Sequence, residues 1–281
     1  MIGKYLFYSS NILFVSLLIF ILLNLPEDRL KKYHKNYSEE IASKTFDFII
    51  VGAGSAGSVL ANRLSENKIV SVLVLEAGGS DNDIKIKIPA AFSQNFGGNS
   101  DWAYDSVPQS NKGNFSVYLP RGKVIGGSSS INAMIYLRGS AYDYDSWKKN
   151  GWSYDELLPF FKKSEKQQRD KTSINPDYHG FEGLWKIGDS NQHPLSKTII
   201  EAFEKEFDLP RIDDFNGNKY QQEGIGFNQV NVAGGERHSV SDAFLNNEIL
   251  ARENLFIKTN ILVTKILFEG DRAVGIEYEH L

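Results

Sequence analysis

A short glycine-rich turn has the residue types and spacing that suit the binding of a phosphate group. It follows an apolar run and consists of Gly52, Ala53, Gly54, Ser55, Ala56 and Gly57. Such a turn between a strand and a helix points backbone N–H groups and the helix dipole at one place, where a pyrophosphate can bind. Glu76 ends the next apolar run, where a carboxylate can accept hydrogen bonds from an adenosine ribose. The pattern predicts a dinucleotide site and leaves FAD and NAD open as its ligand.

Each glycine of this turn has a steric reason. Gly52 permits the tight turn, Gly54 lets a phosphate approach the main chain, and Gly57 lets the helix pack against the strand. A glycine-rich turn in an unrelated α/β protein is the alternative. The strand before the turn, the helix after it and the acid at the second strand end together favour the dinucleotide interpretation.

A second segment rich in small residues, 120–134, reads PRGKVIGGSSSINAM. Its glycines permit close approach of a ligand, and its serines and backbone N–H groups would expose many donors to that ligand. A flexible surface loop is the other interpretation that these residues allow. The segment is therefore a second candidate cradle for a cofactor.

Both segments resemble motifs of the glucose-methanol-choline oxidoreductases. The run GKVIGGSSSINAMIYLRGSAYDYD resembles the family signature, and DFIIVGAGSAGSVLANRLSE with VLVLEAGG resembles the N-terminal FAD fingerprint. The resemblance continues through GWSYDELLPFFKKSE and RHSVSDAFL, so it covers nearly everything after Phe46. Within the family, the sequence is most similar to the insect glucose-dehydrogenase-like members. The resemblance implies FAD as the cofactor.

The resemblance also implies which residues bind FAD. It assigns the glycines of the first turn to the pyrophosphate, Glu76 to the adenosine ribose and the backbone of Val263 to the adenine. It places Trp102 and residues 132–135 near the flavin. The expected cofactor-binding residues are Gly52, Ala53, Gly54, Ser55, Ala56, Gly57, Glu76, Ala77, Trp102, Arg121, Val124, Gly127, Ser128, Asn132, Ala133, Met134, Ile135 and Val263.

The activity that the resemblance implies is the oxidation of a CH–OH group of an alcohol or sugar, with hydride transfer to flavin N5 and a separate electron acceptor, either oxygen or a quinone or dye. Covalent attachment in this family uses a histidine before the glycine-rich loop. Tyr118, Leu119 and Pro120 stand there instead, so we expect non-covalent FAD.

The histidines of the chain are His34, His179, His193, His238 and His280. None has the His-Trp context of the family's catalytic histidine, so we assign no catalytic residue and expect an N-terminal fragment that ends before it. An inactive flavin-binding or partner-binding relic is the alternative, and an NAD-dependent dehydrogenase is a third.

The elements that would position these residues follow from the hydrophobic pattern. Residues 46–51 form an apolar run typical of a strand covered on both faces, residues 55–64 have helical spacing, and residues 69–75 form a second buried-strand run. This βαβ order predicts a doubly wound, Rossmann-like α/β fold. We also predict a helix over 154–165, and strands over 255–259, 263–268 and 273–278 that return to the sheet.

The predicted organisation has a leader, a linker and two interleaved domains. The leader is 1–25, the linker 26–44, the first part of the FAD-binding domain 45–151, part of a substrate or cap domain 152–229, and the incomplete returning part of the FAD-binding domain 230–281.

Composition limits the possible partners. The 31 basic and 35 acidic residues give a net charge of -4, and no dense basic run suggests nucleic-acid binding. The chain has no cysteine, which excludes disulfides and thiolate metal sites, and we predict no metal.

The apolar run 12–25 has the length of a signal-peptide core, so we expect secretion. An uncleaved membrane anchor and a buried helix are the alternatives, and any membrane contact is expected through this segment alone. Glycosylation sequons at Asn36 and Asn114 fit the secretory route.

Overall fold

The computed structural model describes residues 44–220 and 223–281, and the predicted leader and most of the linker lie outside them. In this part of the chain, none of the helices has both the length and the apolar composition that a membrane span requires. The helices are α1 Ser55–Leu64, α2 Ile84–Lys87, α3 Ala141–Asp145, α4 Tyr154–Ser164, α5 Pro194–Phe207, α6 Val240–Phe244 and α7 Asn247–Leu250. The strands are β1 Phe48–Val51, β2 Val72–Leu75, β3 Tyr104–Asp105, β4 Tyr118–Leu119, β5 Ile135–Tyr136, β6 Glu165–Gln167, β7 Trp185–Asp189, β8 Gln229–Val230, β9 Val232–Ala233, β10 Glu236–Arg237, β11 Leu255–Lys258, β12 Ile261–Glu269 and β13 Arg272–His280.

A three-stranded parallel sheet, in the order β1-β2-β11, carries the first glycine-rich turn. Strand β1 pairs with β2 in a register that joins Phe48 to Val72, and α1 makes the crossover between them. Strand β11 pairs with the other edge of β2. The predicted helix over 55–64 and the βαβ unit are confirmed, and the fold is mixed α/β.

The prediction that β1 is covered on both faces is wrong. Phe48 is 43% exposed and Val51 is 53% exposed, whereas every residue of β2 is buried. The reason is topological, because among the described residues β1 pairs with β2 alone and is therefore an edge strand. The second strand is also shorter than predicted, since Ile69 lies 89% exposed in the turn before it.

Of the three predicted C-terminal strands, only β11 returns to the main sheet. Strands β12 and β13 form a separate antiparallel hairpin about Gly270, so the prediction that they join the sheet is wrong. Asn260 takes a left-handed conformation with φ 59° and redirects the chain after β11. The amide of Ile261 then donates to the carbonyl of Glu76 at 2.9 Å, which places the start of β12 beside the end of β2.

A second sheet has the order β5-β8-β7-β6. Strands β6 and β7 lie in the predicted cap segment and β8 crosses its end, whereas β5 lies in the part of the chain predicted to belong to the FAD-binding domain. Helix α4 begins with a capping box between Ser153 and Glu156 and ends at Ser164, one residue before the predicted end. Glu165 starts β6 instead, and its side chain is fully buried in this region.

A buried charged cluster stabilises the second sheet. The carboxylate of Glu165 accepts hydrogen bonds from Arg138 Nη2 at 2.6 Å, from the amide of Gly180 at 3.0 Å and from His179 Nδ1 at 2.8 Å. His179 Nε2 lies 2.8 Å from Asp214 Oδ2. His179 therefore has a structural role, joining the carboxylates of Glu165 and Asp214.

This cluster makes stability depend on pH. Burial lowers the pKa of His179, but the hydrogen bonds and charges of Asp214 and Glu165 outweigh it, so the pKa is raised above its ordinary value. The corresponding stabilisation is full below the unfolded pKa of about 6.5 and is lost as the pH rises through the raised folded pKa. We expect the free energy of unfolding in urea to fall over that range. A His179→Gln variant should lack this fall, and an identical pH profile would contradict the assignment.

Candidate cofactor site

The first glycine-rich turn has the geometry that its spacing predicts. Gly52 has φ 90°, and its amide donates to the carbonyl of Leu75 at 2.7 Å, so the turn is tied to the end of β2. A Cβ placed on Gly57 would lie 2.0 Å from the carbonyl oxygen of Gly52. No side chain fits at Gly57, because α1 packs directly against the turn that precedes it.

Glu76 joins the turn to the loop after β2. Its carboxylate is buried and accepts one hydrogen bond from the amide of Ala53 and another from the amide of Gly78, both at 2.8 Å. Burial raises the pKa of Glu76, and these two hydrogen bonds oppose the rise. Each carboxylate oxygen has a second lone pair for a further donor, such as a ribose hydroxyl.

The second glycine-rich segment packs on the first through backbone contacts. The amide of Gly126 donates to the carbonyl of Ala53 at 2.8 Å. A Cβ on Gly127, which has φ 56°, would lie 2.7 Å from Gly54 Cα. Residues 124–127 are buried, so the surface-loop interpretation is wrong for this part of the segment. The two glycine-rich segments therefore form a single packed unit.

A cavity of about 260 Å³ opens where the two turns meet the start of β12. The predicted residues that line it are Gly52, Gly54, Glu76, Ala77, Trp102, Gly127 and Val263. Residues that the sequence reasoning did not assign also line it, namely Val51, Leu75, Gly122, Ile261 and Leu262. The apolar ones lie at strand ends, and the local pattern does not indicate which strand ends meet.

This cavity suits the adenine-nucleotide end of a dinucleotide. The glycines at its floor leave backbone exposed where a Cβ would fill the space, and Glu76 supplies a carboxylate beside apolar strand ends that can cover a base. Trp102 closes one side, stacked on Tyr104 with 5.7 Å between ring centroids, and Lys123 Nζ lies 4.9 Å from the Trp102 ring centroid.

Other predicted residues lie outside the cavity lining. Val124 packs in a core cluster with Ile86 and Ile131, so only its backbone is available to a ligand. The hydroxyl of Ser128 accepts from the amide of Gly122 at 3.1 Å and thereby shapes the lining. The remaining predicted residues outside the lining are Ala53, Ser55, Ala56, Gly57, Arg121, Asn132, Ala133, Met134 and Ile135.

Residues 132–135 form an outward turn beyond the second glycine-rich segment. Met134 has φ 61°, and its amide donates to Asn132 Oδ1 at 3.0 Å. Asn132, Ala133 and Ile135 are exposed, whereas the side chain of Met134 is buried. The turn is therefore free to meet a ligand that extends beyond the cavity.

Gly78 is a site residue that the sequence reasoning missed. A Cβ there would lie 1.9 Å from the carbonyl oxygen of Lys123, so Gly78 lets the loop after β2 contact the second glycine-rich segment. The signal was present in the sequence, because Gly78 and Gly79 directly follow Glu76 and Ala77.

Replacing Glu76 with Gln should weaken FAD binding without abolishing it. The amide group of Gln offers one acceptor oxygen where the carboxylate offers two, so either Ala53 or Gly78 loses its partner. The ribose also loses a charge-assisted hydrogen bond, worth about 1.5 to 3 kcal/mol. A fluorescence titration with FAD measures the change, and Glu66→Gln, at an exposed residue of the same region, is the control. Equal affinity in the two variants would point to another ribose partner.

The fold and the site together define a dinucleotide-binding α/β protein whose cofactor site is formed by two glycine-rich segments. Residues 46–281 match the family described as GMC oxidoreductase, and the chain belongs to that family. Its members are FAD-binding flavoproteins, so the dinucleotide is FAD.

Curated relatives and solved structures agree with this assignment. The chain is 41% identical over 241 residues to an oxygen-dependent choline dehydrogenase of Photobacterium profundum, covering 84% of this chain and 41% of that protein. The corresponding protein of Pseudomonas syringae pv. syringae is 43% identical over 244 residues, covering 83% and 41%. The crystal structure of pyridoxine 4-oxidase from Mesorbium loti superposes with a TM-score of 0.75 at 35% identity, covering 83% and 46%. The chain thus spans about two fifths of the length of these curated relatives.

Proposed function

We propose that this chain is the FAD-binding part of an oxidoreductase that oxidises a CH–OH group of a small alcohol or sugar. The cavity formed by the two glycine-rich segments and Glu76 carries the proposal. Choline and pyridoxine, the compounds named for relatives of this chain, are both alcohols. Oxygen or another electron acceptor would complete the reaction.

The residues have distinct roles in this proposal. The turn at 52–57 binds the pyrophosphate with its backbone amides, Glu76 accepts from the ribose, and the backbone of Val263 contacts the adenine. Residues 132–135 contact the flavin, and the buried backbone contacts of Gly126 and Gly127 keep both turns rigid. Bound FAD would supply the hydride acceptor at flavin N5.

We place the catalytic base in the part of the relatives' length that this chain does not span. His179 is buried between two carboxylates, His193 Nδ1 accepts from the amide of Leu195 at 3.2 Å at the start of α5, and His238 Nδ1 accepts from the amide of Lys186 at 3.3 Å. These roles are structural.

Dye-reduction assays with choline, pyridoxine and glucose test this placement. We expect the 281-residue chain, supplied with FAD, to show no turnover above free FAD, whereas a full-length choline dehydrogenase is active. Substrate-dependent turnover by the chain would contradict the placement and direct attention back to His179, His193 and His238. An inactive flavin-binding relic also predicts no turnover. Sequencing the transcript past codon 281 separates the two, because an open frame into a His-Trp motif supports the enzyme and a stop codon supports the relic.

We also propose that the protein enters the secretory pathway, because of the apolar run at 12–25 and the sequon at Asn114. Asn114 lies in an exposed turn between β3 and β4 with φ 62°, and Phe115 beside it is 74% exposed. An acceptor asparagine on such a turn is accessible to modification.

We therefore predict an N-glycan at Asn114. The chain expressed in insect cells should lose mass on treatment with an N-glycosidase. In Asn114→Gln, this loss of mass should be smaller by the mass of the glycan at Asn114. Ser116→Ala should have the same effect, since it destroys the sequon but keeps the asparagine. Asn99→Gln, at an exposed asparagine outside any sequon, is the control. Secreted chain with unmodified Asn114 would contradict the prediction.

A further inference from the structure

Arg237 lies behind the second glycine-rich segment with its guanidinium group buried. The side chain is 2% exposed and donates hydrogen bonds to the carbonyl of Ile86 at 2.8 Å and to the carbonyl of Ser129 at 3.1 Å. It also donates to Asn132 twice, at 2.7 Å to Oδ1 and at 2.7 Å to the backbone carbonyl. One side chain thus joins three segments that are far apart in sequence.

In the part of the chain that the structure describes, Arg237 donates to no carboxylate. All four of its acceptor atoms belong to neutral groups. Asp242 acts on Arg237 electrostatically and also binds Lys87 Nζ at 2.7 Å, while Lys87 Nζ lies 3.4 Å from Asp81 Oδ2. Burial lowers the pKa of Arg237 to about 10, with Asp242 opposing the change, so the group stays protonated at neutral pH. A buried cation among neutral acceptors favours negative charge in its surroundings.

The groups that Arg237 holds belong to the cofactor site or adjoin it. Ser129 belongs to the 3₁₀ turn Gly127–Ser130, whose first residue lines the cavity. Asn132 Oδ1 accepts from Arg237 and also from the amide of Met134, which has the left-handed φ of 61°. A left-handed conformation at a residue other than glycine needs support from its surroundings. Arg237 supplies that support through Asn132.

We propose that Arg237 is the positioning residue for the flavin end of bound FAD: its hydrogen bonds fix the turn at 132–134, and its charge favours reduced FAD, the more negative form. The inference rests on the proposed function, which places the flavin against this turn. It assigns the nucleotide end of FAD to the separate cavity lined by Gly52, Glu76 and Val263. Binding of ADP therefore tests the nucleotide cavity alone, whereas binding of FAD tests the cavity and the turn at 132–134 together.

Lysine cannot replace this arginine, because its ammonium is a single point donor without the planar fork that reaches three acceptor residues. Arg237→Lys keeps the charge and loses the fork, whereas Arg237→Met loses both. Asn132→Asp keeps an acceptor oxygen for Arg237 and Met134 and adds a negative charge with little change of shape. These variants separate the shape of the turn from the charge behind it.

The test measures three dissociation constants of the 281-residue chain: for ADP, for oxidised FAD, and for FAD reduced with dithionite in the absence of oxygen. Arg237→Met should raise the dissociation constant for oxidised FAD by about tenfold or more, as expected for losing hydrogen bonds to a charged group, and leave that for ADP unchanged. Arg237→Lys should weaken FAD binding but keep the preference for reduced over oxidised FAD that the charge of Arg237 confers. Asn132→Asp should bind oxidised FAD and reduce that preference by about tenfold, the effect of roughly 1.4 kcal/mol.

Each remaining outcome overturns a stated part of the inference. An equal loss of ADP and FAD binding in Arg237→Met would show a general structural role. Unchanged FAD binding with intact ADP binding would refute the positioning role and leave the proposed function standing. An unaltered preference in Asn132→Asp would refute the role of the charge. A wild-type chain that binds neither ADP nor FAD would refute the proposed function itself, and this inference with it.

Discussion

Gly57→Val is expected to abolish the binding of FAD. A Cβ at this position would lie 2.0 Å from the carbonyl oxygen of Gly52 and 3.2 Å from Ile50 Cγ2, and valine adds two further methyl groups. Helix α1 would have to move away from β1, which displaces the turn that binds the pyrophosphate. Fluorescence titration of the purified variant with FAD measures the loss.

A matched control is available in the β12-β13 hairpin. Gly275→Val adds the same side chain where a Cβ would meet only Leu267 Cδ1 at 3.6 Å. We expect this variant to bind FAD like the wild type. Normal FAD affinity in Gly57→Val would show that the turn at 52–57 does not bind the cofactor, whatever its resemblance to a dinucleotide fingerprint.

Glu165→Gln is expected to destabilise the protein more than any other conservative substitution that we consider. The carboxylate is fully buried and receives hydrogen bonds from Arg138, His179 and Gly180. Its neutral replacement leaves the Arg138 guanidinium buried without a counter-charge, and breaking a buried pair in this way costs about 3 to 5 kcal/mol. Urea unfolding at pH 6 measures the change in the free energy of unfolding.

The control for this experiment breaks an exposed ion pair. Asp155→Asn removes the partner of Lys219, whose Nζ lies 2.9 Å from Asp155 Oδ2 at the surface, and should leave stability unchanged because such pairs are screened by water. Equal effects of the two substitutions would contradict the central role assigned to the Glu165 cluster. The cluster lies outside the cofactor cavity, so ADP binding by the folded fraction should persist.

The parts of the site that are local in sequence were predictable. The turn at 52–57 and helix α1 follow from glycine spacing and helical periodicity within a few residues, and the structure shows both where they were expected. The exposure of β1 was not predictable in this way. An apolar strand at an edge and one at the centre of a sheet share the same local pattern, and only the pairing of β2 with β11 shows which is which.

The cavity wall also depends on contacts between distant segments. Ile261 and Leu262 line the cavity because Asn260 before them has a left-handed backbone conformation. The backbone amide of Asn260 also donates to the carbonyl of Gly78 at 3.0 Å. Arg237 acts across more than a hundred residues on the carbonyl of Ser129. Nothing in the spacing of these residues indicates such partners, whereas the resemblance to a family did indicate that the segments belong to one site.

The most direct test of the whole account is a competition titration of the 281-residue chain. We predict saturable binding of FAD that ADP displaces, because both occupy the cavity at Gly52, Glu76 and Gly127. FMN, which lacks the adenosine half, should not displace FAD efficiently, and NAD should compete less well than ADP. Failure to bind FAD, equal displacement by FMN, or tighter binding of NAD than of FAD would contradict the claim that this cavity is an FAD site.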